Sequence, residues 1–454
     1  MEHLETDERE IMWEKVQEAL LNDQIDQFRA EFLEMHPYDQ ASIFADMDTE
    51  VRMKVYMYLS PEEISEVMEH IDYEDVEPFF SEMDPRLASQ VLADMSTDDA
   101  VDILNSLDKN KVASFLTIMD DTDSDEIKDL LHYEEKTAGS IMTTEFVVVK
   151  ANQTVREAML HLRREAPDAE TIYYTYVIDE DKHLVGVISL RDLIIAEDEW
   201  LISEVMNERL VSVAVGEDQE EIARMFRDYD FLALPVVDFQ NHLLGIITVD
   251  DVLDVMEEEA SEDYSKLAGI SDVDSPDDHA FASAKKRLPW LIILLFLGSL
   301  TASLIGRFED TLDVVPILAI FIPLIAGMAG NTGTQALAVA VRGMATGEID
   351  KQGKRKIIMR EAATGAITGA SCGVLATLII YFWQNDIYLG LLVGLSIFAT
   401  LVVATLAGSL VPLVMDRLNI DPAVASGPFI TTINDIISVL IYFGMATAFM
   451  NLLT

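Results

Sequence analysis

The stretch Gly427–Gly444 reads GPFITTINDIISVLIYFG. It has the apolarity of a membrane helix and carries Asp435 in its middle. A carboxylate at bilayer depth costs about 2.5 kcal/mol or more at a helix centre. An acid placed there despite that cost points to a functional site for a cation.

Upstream, four more apolar segments precede this one. The five lie at roughly 288–306, 314–341, 357–383, 388–415 and 424–452, each long enough for about 30 Å of hydrocarbon. Lys285, Lys286 and Arg287 precede the first; Arg342, Lys351, Lys354, Lys356 and Arg360 lie between the second and third; Arg417 lies between the fourth and fifth. The loop at Asn385 and Asp386 has no basic residue. This bias predicts a cytoplasmic N-terminus and an extracytoplasmic C-terminus in a cell membrane. No Lys or Arg is read deep enough to pair with Asp435, which is taken as the only acid deep in a span.

The 454 residues carry a formal net charge of -50, which averages over two unlike halves. Residues 288–454 hold 10 acidic and 8 basic residues, and those before them hold 71 and 23. Such an acidic soluble half disfavours nucleic acid and anionic lipid and favours cations. Solubility alone is the plainer use of the same charge. The single cysteine, Cys372, excludes an intrachain disulfide, and the opening MEHLETDERE lacks the pattern of a secretory signal.

The first 136 residues carry a 12-residue period. Met35, Met47, Leu59, Ile71, Met83, Met95, Leu107 and Met119 keep it, and Asp48, Ser60, Asp72, Asp84, Ser96 and Asp108 follow as helix caps. One short helix per unit predicts an all-α superhelix in which each repeat buries its apolar face on its neighbours.

Residues 137–256 contain a duplication. SIMTTEFVVVKANQTVREAM resembles EVMNERLVSVAVGEDQEEIARMF, and YYTYVIDEDKHLVGVISLRDLI resembles LALPVVDFQNHLLGIITVDDVL. The pattern resembles a tandem pair of cystathionine-β-synthase (CBS) domains, at 137–200 and 201–256, each an α/β unit. That resemblance implies that GVISLRD and GIITVDD can hold a nucleotide ribose, through Ser189 and Asp192 or Thr248 and Asp251, with Arg191, Tyr174 and Phe231 as further contacts. Many CBS pairs bind nothing, and helix capping is the simpler use of both aspartates, so ATP binding stays open here.

An acidic linker follows over 250–287. Eight of the fourteen residues from Asp250 to Asp263 are acidic, and Val252, Val255 and Met256 form a narrow apolar stripe, so a helix is predicted. Like charges at i,i+4 oppose that helix unless something neutralises them. In the second span, PLIAGMAGNTGTQALAVAVRG combines Gly327, Gly330 and Gly333 with Asn331, Thr332, Thr334 and Gln335. Glycines permit close helix approach, while Pro316 and Pro323 are candidate kinks. Interhelical hydrogen bonding is the plain reading of the polar residues; with Asp435 they suggest a polar path.

Taken in order, the acidic repeat, CBS pair, acidic helix and five spans resemble the MgtE family of magnesium channels and transporters. The strings GNTGTQ and DPAVASGPFITTINDIISVLIYF carry the resemblance most specifically. It implies a homodimer with one Mg2+ pore on its two-fold axis, lined by the second and fifth spans, and closure by intracellular Mg2+. On that basis the pore residues are Asp435, the carbonyl of Thr431 if the helix opens near Gly427 and Pro428, and Asn331. Regulatory Mg2+ ions are expected at Asp98 and Asp102, at Glu220, Asp230, Asp251 and Asp254, and at Glu259, Glu262 and Asp263 of the linker "plug" helix, with Asp421 nearby. Asp251 is assigned to the ion rather than to a nucleotide. A broader divalent-cation transporter and a membrane-anchored metal or nucleotide sensor are the alternatives. An enzyme is disfavoured: no nucleophile–base pattern or P-loop is present, and the eight histidines show no metal-ligand spacing.

Overall fold

A computed structural model describes residues 6–71, 75–167, 169–270, 279–347, 349, 353–418 and 420–450. It divides into two compact units, Met1–Met256 and Glu257–Thr454.

The first unit begins with helices α1 (Thr6–Leu21), α2 (Ile25–Phe32), α3 (Pro37–Ala45), α4 (Thr49–Tyr58), α5 (Pro61–Met68), α6 (Glu77–Glu82), α7 (Pro85–Ala93), α8 (Thr97–Ser106), α9 (Lys109–Ile118) and α10 (Asp121–Leu130). The 12-residue period is the core. Met35, Met47, Leu59, Met83, Met95, Leu107 and Met119 are all buried in one cluster, with Ile71 packed against it. Capping varies between repeats. Ser60 and Glu63 form a reciprocal capping box, and Asp84 and Asp108 accept from the N–H groups of Arg86 and Asn110. Asp48 caps without a side-chain bond, and Ser96 gives its hydroxyl to Asp99 instead. Asp72 lies outside the described residues.

The duplication folds as two three-stranded sheets of the same design. The first holds β1 (Phe146–Lys150), α11 (Val155–Glu165), β2 (Thr171–Ile178), β3 (Leu184–Ser189) and α12 (Leu190–Ile195). After α13 (Ile202–Val205), the second holds β4 (Val213–Ala214), α14 (Gln219–Tyr229), β5 (Ala233–Val237) and β6 (Leu243–Thr248). In each, the first strand runs parallel and the third antiparallel to the central one. Each copy also lends the other an edge. Thr143 pairs with Ile246 of the second sheet, and Asn207 pairs with Val187 of the first.

This exchange explains the glycine in each Gly-x-x-Ser/Thr string. A Cβ on Gly245 would stand 2.7 Å from the carbonyl oxygen of Thr143, and one on Gly186 would stand 2.6 Å from Met206 Sδ. The backbone neighbour at Gly245 yields less readily than a methionine tip. We expect Gly245→Ala to destabilise this unit by about 1–3 kcal/mol, and Gly186→Ala by less, read as a lowered midpoint in thermal unfolding. Equal midpoints for both variants would contradict this account of the crossing.

Helix α15 (Val249–Ala268) leads on from β6, with Val252 and Val255 buried and Met256 exposed. In the second unit, α16 (Ala280–Gly306) and α17 (Glu309–Val314) are followed by a 3-10 turn, Pro316–Phe321. The remaining helices are α18 (Ile322–Ala345), α19 (Lys354–Gln384), α20 (Ile387–Arg417) and α21 (Gly427–Ala448). Five helical stretches, 280–306, 316–345, 354–384, 387–417 and 427–448, are long and apolar enough to cross a membrane. Neither expected proline kink is present in the second stretch. Pro316 opens the 3-10 turn and Pro323 sits in the first turn of α18, where proline lacks only an N–H that has no helical partner.

Candidate functional site

The polar groups of the second unit are set by close helix packing. Gly330 and Gly333 of α18 lie under α21: a Cβ on Gly330 would stand 2.7 Å from Thr431 Cγ2, and one on Gly333 would meet Asn434. Thr334 and Thr431 hydroxyls lie 3.3 Å apart, and Asn434 Nδ2 donates to the carbonyl of Ala329 at 3.5 Å. Asn434 Oδ1 is buried and has no hydrogen-bond partner. Asp435, next in sequence, is half-buried, is the ninth residue of the 22-residue α21 and has no salt bridge among the described residues. At 1.5 Å per residue it stands about 12 Å along a helix of about 33 Å.

The expected opening of the fifth span is absent. Helix α21 runs unbroken from Gly427, and Pro428 occupies its first turn, where it starts a helix at no cost in hydrogen bonds. The Thr431 hydroxyl donates to the Gly427 carbonyl at 2.9 Å. The carbonyl of Thr431 therefore belongs to a regular helix and is not freed as expected.

Asn331 sits elsewhere on α18. With Thr332 and Gln335 it lines a cavity of about 700 Å³, closed on the other side by Arg360, Glu361, Thr364 and Cys372 of α19 and by Leu401 and Thr405 of α20. Glu361 is buried and accepts from Arg360 at 3.0 Å. An acid–base pair thus lies in the third apolar segment, as the seventh and eighth of the 31 residues of α19 and so near the end of that span, which leaves Asp435 as the expected acid deep in a span. The pair was missed because it sits at the charged end of that segment, where Arg360 reads as a loop residue.

In the first unit, carboxylates of the repeat domain, the CBS pair and the first turns of α15 converge. Asp98 of α8 is buried; burial first, then the charges of Asp251, Asp99 and Glu170, push its carboxyl well above the usual range. Its Oδ1 has no hydrogen-bond partner. Asp99 is raised by burial and by Asp250 and Asp254. Burial, with Asp250 and Asp99, pushes Asp251 up to about 6, against its hydrogen bonds from Thr248. Glu69 is pushed to about 7 by burial and by Asp99. Glu170, at the exposed rim, is pushed to about 7 by the protein on one side and by Asp250 and Asp251. Glu145, which accepts from Thr97 at 3.2 Å, is raised by burial. No salt bridge reaches Asp98, Asp99, Glu145, Glu170 or Asp251 among the described residues. Acids this crowded hold protons near neutral pH unless a cation takes their place. The orphaned Asp98 oxygen and the all-oxygen donors are of the kind a hard divalent ion takes, but among the described residues no three of these carboxylates bring their oxygens within 4.8 Å of one another.

Of the expected regulatory residues, Asp98, Asp251 and Asp254 meet here. Asp102 is exposed on the same helix. Glu220 accepts from Arg224 at 2.6 Å, and Asp230 is the exposed, left-handed C-cap of α14. Asp99, Glu69, Glu145, Glu170 and Asp250 were missed. Their spacing carries no signal, because the fold rather than the local sequence collects them.

In the second unit, Lys266 near the end of α15 donates to Asp421 at 2.5 Å and pairs with Glu262 at 2.6 Å. Partial burial alone would lower the Lys266 pKa, but these two carboxylates raise it. Leu267 joins Leu337, Val341, Ala425 and Ile430 in one apolar cluster, and a Cβ on Gly269 would stand 3.2 Å from Pro428. The plug helix thus ends against the start of α21. Glu259 and Asp263 are half-buried.

At the expected nucleotide site, Ser189 Oγ donates to Asp192 at 2.6 Å and accepts from its N–H at 3.1 Å. In the second copy Thr248 donates both its hydroxyl and its backbone N–H, the latter at 3.3 Å, to Asp251 Oδ2. Tyr174 pairs with Ser189 across β2 and β3. Arg191 is exposed, and Phe231 stacks on Tyr229 with ring centroids 5.3 Å apart.

A helical acidic domain, a CBS pair and five spans with a carboxylate in mid-span define a membrane protein built to handle cations. Family models agree: "MgtE intracellular N domain" matches residues 35–136, "CBS domain" matches 138–199 and 202–258, and "Divalent cation transporter" matches 322–445. The chain belongs to the MgtE family. It is 53% identical to the magnesium transporter MgtE of Enterococcus faecalis over 435 residues, covering 95% of this chain and 96% of that one. Crystal structures of the soluble part of a magnesium transporter (50% identity, TM-score 0.54) and of the cytosolic domain of the Mg2+ channel MgtE in complex with ATP (40%, 0.52) match 56% and 54% of this chain. They are themselves covered to 100% and 99%.

Proposed function

We propose that this protein passes Mg2+ down its electrochemical gradient into the cell, as a homodimer with one pore near Asp435, and that Mg2+ bound among the cytosolic carboxylates closes it. The observation that carries the reading is Asp435 at mid-span, without a salt bridge among the described residues, next in sequence to Asn434, which packs with Thr431 against the glycine face of α18. Across a two-fold axis two such carboxylates repel when empty, and a divalent ion cancels both charges. Mg2+ keeps several of its waters, so the pair acts on a hydrated ion. The regular backbone at Thr431 leaves that carbonyl no role as a freed ligand. Asn331 serves the polar cavity beside α18 instead. None of the described residues of α16 is buried within one chain, which suits a surface facing a partner or lipid.

Closure follows from charge. Ions shared by Asp98, Asp99, Asp251 and Asp254 hold the repeat domain, the CBS pair and the head of the plug helix together. One site at ten times its dissociation constant favours the closed form by about 1.4 kcal/mol. Several sites together approach the roughly 5.5 kcal/mol that turns a mostly open population into a mostly closed one. ATP, if bound through Ser189 and Asp192, is regulatory, because downhill flux consumes none.

At the other end of the plug, Lys266 already does part of this work as a tethered cation between Glu262 and Asp421. We expect Lys266→Met to leave α15 several-fold more sensitive to protease in chelator, with millimolar Mg2+ restoring the wild-type rate. Equal rates in chelator would show that Lys266 is not needed to hold the helix. The function itself is tested with the purified full chain in liposomes loaded with a Mg2+-sensitive dye, without ATP. A dye response that needs the protein is expected, and none would refute transport.

A further inference from the structure

Helix α18 has two polar faces, and the transport and closure readings use only one. Gly330, Gly333 and Thr334 face Thr431 and Asn434 of α21. Asn331, Thr332 and Gln335 line the cavity of about 700 Å³. At 3.6 residues per turn the two sets point about half a turn apart. The cavity follows from glycine seams. A Cβ on Gly369 would stand 2.9 Å from the Phe398 carbonyl oxygen, and one on Gly373 would stand 2.6 Å from that of Gly394, so α19 lies directly on α20. One on Gly408 of α20 would meet the Gly333 carbonyl. Helices α18 and α19 are thus both held against α20, with the polar space between them.

The walls accept hydrogen bonds more than they donate. Thr364, Thr368 and Thr405 spend their hydroxyl protons on the carbonyls of Arg360, Thr364 and Leu401, at 3.0, 2.9 and 2.7 Å. What each hydroxyl has left for the cavity is its lone pairs. Asn331, Gln335, Thr364 and Thr368 are exposed within one chain. At bilayer depth such groups face water or protein rather than hydrocarbon.

Glu361 is the charged member. Its side chain is 8% exposed, against 52% for Arg360. Arg360 places both of its hydrogen bonds on Oε1, from Nε at 3.1 Å and from a terminal nitrogen at 3.0 Å. Oε2 has no hydrogen bond among the described residues. The acid is therefore fixed in the wall, while its arginine sits near the end of the span, where a long stem reaches the aqueous interface. Such a carboxylate carries its own counter-ion, and that counter-ion has somewhere else to go.

We propose that this cavity binds a hydrated divalent cation, Mg2+ included, with Glu361 Oε2 as its charged contact and Arg360 as the tethered counter-ion it displaces. Water on a cation is a hydrogen-bond donor, and the walls supply acceptors in Gln335, Asn331 and the threonine oxygens. Mg2+ keeps several waters, and at about 30 Å³ per water the cavity has room for the ion with its shell. The site lies behind α18, away from Asp435, and in a different unit from the closing carboxylates. A filled site braces α18 against α19 on the side that α21 does not touch.

Cys372, the single cysteine, lines the same cavity and serves as its reporter. The full chain in detergent is treated with methyl methanethiosulfonate, a small neutral thiol reagent, at constant ionic strength in K+, and labelling is followed by mass. At ten times its dissociation constant Mg2+ should slow labelling about 10-fold. Glu361→Gln should abolish this protection. Arg360→Gln should bring protection at an Mg2+ concentration at least about 10-fold lower, since the competing charge is gone. A purely structural ion pair predicts no such gain. Asp98→Asn plus Asp251→Asn should keep the wild-type protection, which separates the site from closure by the cytosolic unit. Asp435→Asn should keep it too, which separates the site from the pore. Labelling indifferent to Mg2+, protection that survives Glu361→Gln or fails to strengthen in Arg360→Gln, protection lost in either control variant, or a Cys372 inert to the reagent without Mg2+ would each overturn the proposal.

Discussion

Replacing Asp435 by alanine is expected to reduce Mg2+ flux by at least about 100-fold, equivalent to some 2.7 kcal/mol. The protein should remain folded and assembled, because the change removes a carboxylate that is costly at mid-span and has no salt bridge among the described residues. Asp435→Asn should fail nearly as badly. It keeps the shape and a hydrogen-bonding oxygen but cannot cancel the charge of a divalent ion. Dye-loaded liposomes give the flux and gel filtration gives the assembly. Wild-type flux in the alanine variant would remove Asp435 from the pore.

The second large effect is one of pH in the first unit. Asp251, Glu69 and Glu170 are raised to about 6, 7 and 7, and Asp98 and Asp99 are raised as well. A carboxyl whose folded-state pKa lies above its unfolded value favours the compact form below the unfolded pKa. That favour is lost as pH rises through the folded value. In chelator, the contact between the repeat domain and the CBS pair should therefore loosen between about pH 6 and pH 8. Mg2+ takes the place of the protons, so it should hold the contact closed at pH 8 and release protons as it binds. Proteolysis of metal-free protein across this range, with and without Mg2+, reads the effect. Asp98→Asn with Asp251→Asn should flatten the pH dependence and shift the Mg2+ needed for protection at least about 10-fold upward, since two ligand charges are lost. Cleavage independent of both pH and Mg2+ would contradict the cluster's role.

What could be read from the sequence was what repeats locally. The 12-residue period marked Met35 to Met119 as core because each unit folds on its neighbours, and the duplication marked two sheets because both copies keep the Gly-x-x-Ser/Thr string. Five spans were legible from apolar length alone. Contacts between distant elements were not. Glu145 and Glu170 face Asp99 and Asp251 only because the repeat domain docks on the CBS pair. Lys266 settles between Glu262 and Asp421 where an ion was expected. A role for the Thr431 carbonyl depends on the helix opening near Gly427 and Pro428, yet the helix begins there and continues without a break.

The central claim is that one ion serves as both cargo and closing ligand. It is tested most directly by measuring Mg2+ influx into liposomes containing the full chain while free Mg2+ on the face of the acidic unit is stepped from chelated to millimolar, at a constant inward driving force. The account predicts fast influx at the lowest level and a steep fall, at least about 10-fold, as that face fills, with Asp98→Asn plus Asp251→Asn still conducting at millimolar Mg2+. Influx indifferent to Mg2+ on that face, in both wild type and variant, would contradict it.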